Sequence, residues 1–385
     1  MDPELSGQLA SAGLAAADRV VPLVFNPNNA CTRSVERVEL EDGSTVVRKV
    51  LRRSGPTPVA HWSAGAHPSH WNHWRREADA YESGAVRCLE PFLEAPRLLA
   101  RFGGDAPTEV LLLEHVAGRS ACELTIADLA SVALALGRAQ GCRDAAPPRS
   151  FTSGSLEWIW AYATSRPPGP RGYLDEARWS HPVVTSGFAD RTATLRRGYG
   201  ELMAQLPRWR RVLAAAPVAT CHLDLWSRNL VLADDEQGSG PGRAPVLLDW
   251  SFVGRGAVGQ DPGHLVCAEL LEHHFDPGLC GELDRAVWQG YSSGLEDSGW
   301  PHDPRWARLA MCVAALGFVW LPAAMVDSAD HEGPTGYAGG PGHDLVEVFD
   351  RRGRVLAWML ERMDEARELA AQLGLDAPCG PASLS

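Results

Sequence analysis

Apolar and polar positions alternate closely over "VPLVFNPNNACTRSVERVELEDGSTVVRKVL", which opens the informative part of the chain after a short amphipathic N-terminal segment. Asp42-Gly43 separates two β-rich runs there, and that dipeptide is a hairpin turn signal. Lys49 then lies on a strand whose partner is roughly Ser34–Leu40. Residues Ser54–His70 are rich in Pro, Gly, His and Trp and read as a loop. The pattern "SHWNHWRREADAYES" predicts a helix from Ser69, with Trp74, Ala78 and Tyr81 on one face. "TEVLLLEHV" follows as an apolar strand and "AGRS" as a break. From Thr125 the 3.6-residue period dominates, and helices are predicted over Thr125–Gln140, Ala189–Leu206, Gly281–Tyr291, Pro304–Val326 and Arg354–Leu373. The exception is Ala216–Leu248, where two short apolar runs flank polar loops. The character of the chain changes near Val116–Gly118. This predicts an α+β protein of two parts, a β-rich 1–117 and a mainly helical 118–385.

Composition adds exclusions. A formal net charge of -12 over 385 residues disfavours nucleic acid or an anionic membrane as main partner. The 9 cysteines are scattered and form no C-x-x-C pair, so reduced thiols in a cytoplasmic setting are the simplest reading. The N-terminus has early acids and no basic start, unlike a signal peptide. "LAMCVAALGFVWLPAAMV" (Leu309–Val326) is uncharged and reaches the lower length limit for a membrane span. Gly317 and Pro322 interrupt it, and it reads as a core helix kinked or ended near Pro322.

The chemistry is concentrated in "CHLDLWSRNLVL" (Cys221–Leu232). His222, Asp224 and Asn229 form H-x-D-x-x-x-x-N, the spacing of a kinase catalytic loop. "VLLDW" then sets Asp249 at the end of an apolar run. Phosphoryl transfer needs an acceptor hydroxyl in line with the γ-phosphate and divalent metal to neutralise charge. Asp224 can take or orient the hydroxyl proton. Asn229 offers a hard amide oxygen to Mg²⁺, and Asp249 a carboxylate. If "LVL" and "VLL" pair as a short hairpin, Asn229 and Asp249 stand at facing ends.

Lys49 is the only lysine of the chain, against 35 arginines. A kinase needs a compact cation on a strand of its first lobe, held by a helix glutamate, and Glu77 in "RREADAY" is the candidate. Arginine would present a wide planar fork where a slim ammonium is required. "NPNNAC" has no glycine-rich signature. Asn28 and Asn29 can take left-handed geometry and expose backbone N–H groups to phosphate, with an ordinary turn as the competing reading. The backbone of Glu114 and Val116, between the two parts, can pair with adenine. His61, His67, His70 and His73, with Trp62, Trp71 and Trp74, suggest a cap over the nucleotide edge or, alternatively, a zinc site. The pair His273-His274 reads as the solvated end of a helix.

Together, "VVRKVL", "RREADAY", "LLLEHVAG", "HLDLWSRN", "VLLDW" and "GRGAVGQDPGHLV" resemble the aminoglycoside phosphotransferase and choline kinase-like family. The resemblance implies a bilobal protein-kinase-like fold, ATP (or GTP) as donor, two Mg²⁺ ions and a hydroxyl acceptor. It implies Asp224 as base, Asn229 and Asp249 as metal ligands, and Lys49 with Glu77 as phosphate clamp. Asp261 is then structural, steadying the catalytic loop, and His222 has a supporting part. "DWS" replaces D-F-G and no A-P-E segment follows, which favours a small-molecule acceptor over a protein. A Ser/Thr kinase acting on a peptide precursor and an inactive nucleotide-binding scaffold are the rival readings. Trp158, Trp160 and Tyr162 are candidates to line the acceptor site, although helix-spaced aromatics also suit a core.

Overall fold

Asp42 and Gly43 close a tight turn. Gly43 takes φ 82°, and the Asp42 carboxylate accepts from the Ser44 amide and hydroxyl. The hairpin pairs β2 (Thr32–Leu40) with β3 (Thr45–Arg52), and Val35 stands opposite Lys49. The computed structural model describes residues 2–26, 28–55, 62–103, 107–142, 175–233, 244–329 and 344–375. With β1 (Ala17–Pro22), β4 (Leu98–Phe102) and β5 (Thr108–Glu114), the hairpin forms an antiparallel sheet in the order β1-β2-β3-β5-β4. β3 and β5 are central and buried on both faces, which is why "TEVLLLE" runs apolar without alternating. One face of the sheet packs Val38, Val46, Val50 and Leu112 on Leu5 and Leu9 of α1 (Pro3–Ser11). The other packs Leu51, Leu111 and Leu113 on Trp74 and Ala78, the latter in α2 (Arg76–Ser83).

α2 starts seven residues later than the periodicity predicts. Residues 69–75 form turns instead, because their polar side chains bond to nearby backbone. The Ser69 amide donates to His67 Nδ1 and the Asn72 amide to His70 Nδ1. The His73 ring reaches Gly65 O.

Beyond Glu114 the chain enters two small sheets. β6 (Gly118–Ser120) pairs with β8 (Leu230–Ala233), which pairs with β9 (Val246–Leu247); β7 (Val218–Cys221) pairs with β10 (Gly254–Ala257). Helices surround them. α3 (Ile126–Gly141) begins at Thr125, whose hydroxyl accepts from the Asp128 amide while Asp128 accepts from the Thr125 amide. Other predicted helices are longer than their periodic cores: Thr192–Ala215, which continues through Pro207, then Cys280–Asp297 and Leu345–Gln372. The apolar stretch 304–327 is long and apolar enough to cross a membrane by length and composition, and 89% of its most apolar window is buried inside the protein. It breaks at Gly317–Trp320, where Phe318 leaves helical geometry with ψ 15°, just ahead of Pro322. The helices Pro182–Phe188 and Gln260–Leu271 have no counterpart in the sequence reading. All twelve residues of the latter are buried, so it has no polar face to reveal a period.

α3 and the helix Cys280–Asp297 cross at backbone contact. A Cβ on Gly294 would stand 2.2 Å from Leu134 O, and one on Gly137 2.2 Å from Tyr291 O. This approach brings Gln140 and Tyr291 together beneath the candidate site. Overpacking of such a crossing costs about 1–3 kcal/mol. Gly294→Ala should therefore lower the thermal midpoint, whereas Gly200→Ala, with open space around it, should not. Scanning calorimetry of the two variants checks this.

Candidate active site

Lys49 is 5% exposed, and its ammonium lies 2.5 Å from Glu77 Oε2 and 2.9 Å from Asp249 Oδ1. β3 supplies the lysine, α2 the glutamate, and the turn after β9 the aspartate. Burial opposes the charge on Lys49, but the two carboxylates outweigh it and hold its pKa above the ordinary range. Burial likewise opposes ionisation of Asp249, yet the Lys49 ammonium brings that carboxyl down to about 2. Glu77 is pushed upward, chiefly by its own burial. It also receives the Trp250 amide at 3.4 Å and lies 3.5 Å from the Ser251 hydroxyl, so it steadies the Asp249 turn as well as the lysine.

Asp249 sits in left-handed backbone geometry, φ 55°, at the head of the turn Trp250–Phe252. Its Oδ1 carries Lys49 Nζ, the Ser251 hydroxyl at 2.5 Å and the Ser251 amide at 3.4 Å. Its Oδ2 has no partner among the described residues, and the side chain is 42% exposed. The anticipated β8–β9 hairpin forms: Leu230 faces Leu247, and the Leu248 amide donates to Asn229 O at 2.8 Å. Asn229 and Asp249 therefore occupy the same end of the ladder. The Asn229 amide nitrogen donates to Asp224 O at 2.9 Å and Asp224 Oδ2 at 3.0 Å, which leaves its oxygen without a partner among the described residues. Two hard oxygen donors, one neutral and one anionic, are thus available at this end of the ladder. That donor set fits a divalent cation of the Mg²⁺ type.

Asp224 is partly buried, and that burial, followed by the charge of Asp249, pushes its pKa up to about 8. Two nearby carboxyls are thus driven in opposite directions, Asp224 up and Asp249 down. His222 lies beneath. Its Nδ1 accepts the Asp224 amide at 3.3 Å and its Nε2 reaches Leu248 O at 2.8 Å, a pattern that fixes the Nε2–H tautomer. Burial lowers its pKa to about 4, so the ring is a neutral spacer between the loop that carries Asp224 and β9.

Asp261 stands at the start of the helix Gln260–Leu271. It accepts the His222 amide at 2.9 Å, the Leu223 amide at 2.8 Å and Gln140 Nε2 at 2.9 Å. Leu223 has φ 63°, so these bonds hold a residue in a conformation unfavourable for its side chain. Gln140 in turn accepts the Tyr291 hydroxyl at 2.6 Å. Nothing in the sequence singles out Gln140, Tyr291 or Glu269. Glu269 is fully buried and binds the Ser227 amide and hydroxyl together with His274 Nδ1. His274 is thus not a solvated helix end. It is bonded, 8% exposed, and stacked on Trp226 with ring centres 6.1 Å apart.

The turn before β2 is the ordinary turn that the sequence offered as the competing reading. Asn28 and Asn29 do not take left-handed geometry, and the four amides that follow Pro27 are occupied. Those of Asn28 and Asn29 bond to Asn26, that of Ala30 to Trp62 O, and that of Cys31 to the Asn29 side chain. No row of N–H groups is presented there, because the asparagine side chains have satisfied the turn internally. Between the two parts, the Glu114 amide bonds to Arg97 O and its carboxylate to Arg97. The backbone of Val116 makes no hydrogen bond among the described residues. His67, His70 and His73 each bond within the loop or to α2, and no group of three metal-ligating His, Cys, Asp or Glu side chains occurs among the described residues. His61, Trp158, Trp160 and Tyr162 lie outside the described residues.

Residues 33–312 match the model of a phosphotransferase enzyme family. Among solved structures, an aminoglycoside phosphotransferase from Alicyclobacillus acidocaldarius superposes with a TM-score of 0.55 at 16% identity, covering 97% of both chains. A candidate aminoglycoside phosphotransferase from Ralstonia eutropha JMP134 gives 0.50 at 15% identity, covering 94% of this chain and 98% of its own. No protein of curated function matches the chain in sequence. The bilobal α+β, protein-kinase-like fold expected from the sequence is the one these structures share.

Proposed function

Because the chain belongs to the phosphotransferase enzyme family, we propose that it moves the γ-phosphate of ATP (or GTP) to a hydroxyl of a small molecule. The observation that carries this reading is the position of Lys49, bonded at once to Glu77 from its own lobe and to Asp249 from the other. A buried ammonium that bridges two carboxylates is poised to give up part of its contact with Asp249 to an incoming phosphate. The open backbone of Val116 suits the edge of a purine ring. Asn229 and Asp249 would hold Mg²⁺, and the metal would supply charge neutralisation at the phosphates. Asp224, tethered by Asn229, would orient the acceptor hydroxyl and take its proton. Lys49 would fix the α- and β-phosphates, with Glu77 keeping it in place. Asp261 and His222 hold the loop backbone so that Asp224 need not reorganise during transfer.

The acceptor class follows the printed names of the two structural relatives only as an analogy. A cytoplasmic location is part of the proposal, as the reduced thiols suggest. The experiment is a transfer assay with γ-labelled ATP and Mg²⁺ over aminoglycosides, macrolides, amino alcohols, nucleosides and Ser/Thr peptides. Label should appear in a small-molecule acceptor. Transfer confined to peptides would select the rival acceptor class, and absence of both ATP and GTP binding would end the kinase reading.

A further inference from the structure

Twenty-eight positions separate Lys49 from Glu77 in sequence, and the described residues 62–75 between them hold no α-helix or β-strand. These residues are nonetheless tied to three elements of the site.

The first tie is to the turn before β2. Asn72 is 3% exposed, and its side-chain nitrogen donates to Asn29 Oδ1 at 3.1 Å and Trp62 O at 3.0 Å, with Ser63 O 3.3 Å away. Its carbonyl accepts from Cys31 Sγ at 3.4 Å, and Trp62 O also accepts the Ala30 amide. The second tie is to α2. Arg76 is 2% exposed and reaches back to His70 O at 2.7 Å and Pro68 O at 3.4 Å. His73 bridges Gly65 O and Asp79 Oδ2 at 3.2 and 3.3 Å. The third tie is to the other lobe. The Trp71 indole lies parallel to the Phe252 ring, 8° between planes and 6.4 Å between centres, with Trp62 edge-on at 5.3 Å. Phe252 is three residues past Asp249.

α2 has eight residues and no side-chain cap at Arg75. Such a helix has little stability of its own and takes its position from what it touches. The Lys49–Glu77 contact is short, so a shift of α2 by an ångström or two removes it. The same shift would free Trp250 and Ser251 from Glu77. We propose that Trp71 and Asn72 are positioning residues. With them, 62–75 acts as a brace that locks α2 and the Asp249 turn to one another, so that Lys49 stands between both carboxylates before any nucleotide binds. What this triad does rests on the function proposed above; where it stands does not.

The test compares Trp71→Ala, Asn72→Ala and Trp71→Phe with the parent chain, by hydrogen exchange of the nucleotide-free protein and by calorimetric ATP–Mg²⁺ binding. Trp71 is only half-buried, so its truncation leaves the core intact. Trp71→Ala should speed exchange at 76–83 and 250–252 by about fivefold to tenfold, the size of a lost aromatic pair, without changing exchange in α3. Asn72→Ala should loosen 28–31 as well as α2. Both variants should weaken ATP binding by a similar factor, and Trp71→Phe should restore it to within about twofold. Unchanged exchange at α2, an equal rise in α3, or no recovery in Trp71→Phe would overturn the brace. A parent chain that binds neither ATP nor GTP, together with a loosened α2 in Trp71→Ala, would overturn the kinase reading and leave the brace standing.

Discussion

Asp224→Asn should lower kcat for phosphate transfer by about 10²–10⁴-fold and leave ATP affinity within about threefold. The asparagine is nearly isosteric, and its carbonyl oxygen can keep the Asn229 hydrogen bond now made at 3.0 Å. What it cannot do is take a proton. The substitution leaves the contacts of Lys49 with Glu77 and Asp249 in place. Binding of an anionic nucleotide has no reason to weaken, and reduced repulsion with Asp249 favours it slightly. The check is kcat with an acceptor found in the transfer screen, beside calorimetric ATP binding. Turnover equal to the parent would remove Asp224 as the base.

The sequence exposed the parts of this site that are local in the chain. The Asp42-Gly43 turn set the hairpin register that carries Lys49. The interval from His222 to Asn229, and the apolar run before Asp249, located the end of the β8–β9 ladder where Asn229 and Asp249 stand. The supporting layer was not legible, and the reason is separation. Gln140 meets Asp261 from 121 positions away and Tyr291 from 151, and Ser227 meets Glu269 from 42. No period or motif marks a glutamine at the end of a helix as a partner for a distant loop. The helix Gln260–Leu271 was hidden because it is buried all round. Residues 69–75 misled for the opposite reason: their aromatic spacing is helical, yet Ser69, Asn72 and His73 found nearer partners than an α-helical ladder offers. The same competition occupied the amides of Asn28 and Asn29.

Lys49→Arg should retain a folded protein and lose about 10²–10³-fold in kcat/KM, the usual cost of misplacing one preorganised electrostatic donor. The chain tolerates buried guanidinium groups: Arg48, Arg76 and Arg352 are 6%, 2% and 1% exposed. Burial alone is therefore not what kept a lysine at 49. The distinguishing feature is that one nitrogen serves Glu77 at 2.5 Å and Asp249 at 2.9 Å. A guanidinium spreads its donors over a plane and favours a two-point grip on a single carboxylate. Gripping Glu77 that way would release Asp249 from the cation that holds it at about 2, and would present a broad fork where phosphate must approach a point charge. Lys49→Met separates charge from shape. It leaves Glu77 buried without its partner, which costs about 3–5 kcal/mol, so that variant should lose stability as well as turnover. Thermal melts and kcat/KM for the two variants give the comparison. An arginine at 49 with parental kcat/KM would mean that neither the slim ammonium nor its two-carboxylate contact matters to transfer, and the phosphate clamp would have to be sought elsewhere in the cleft.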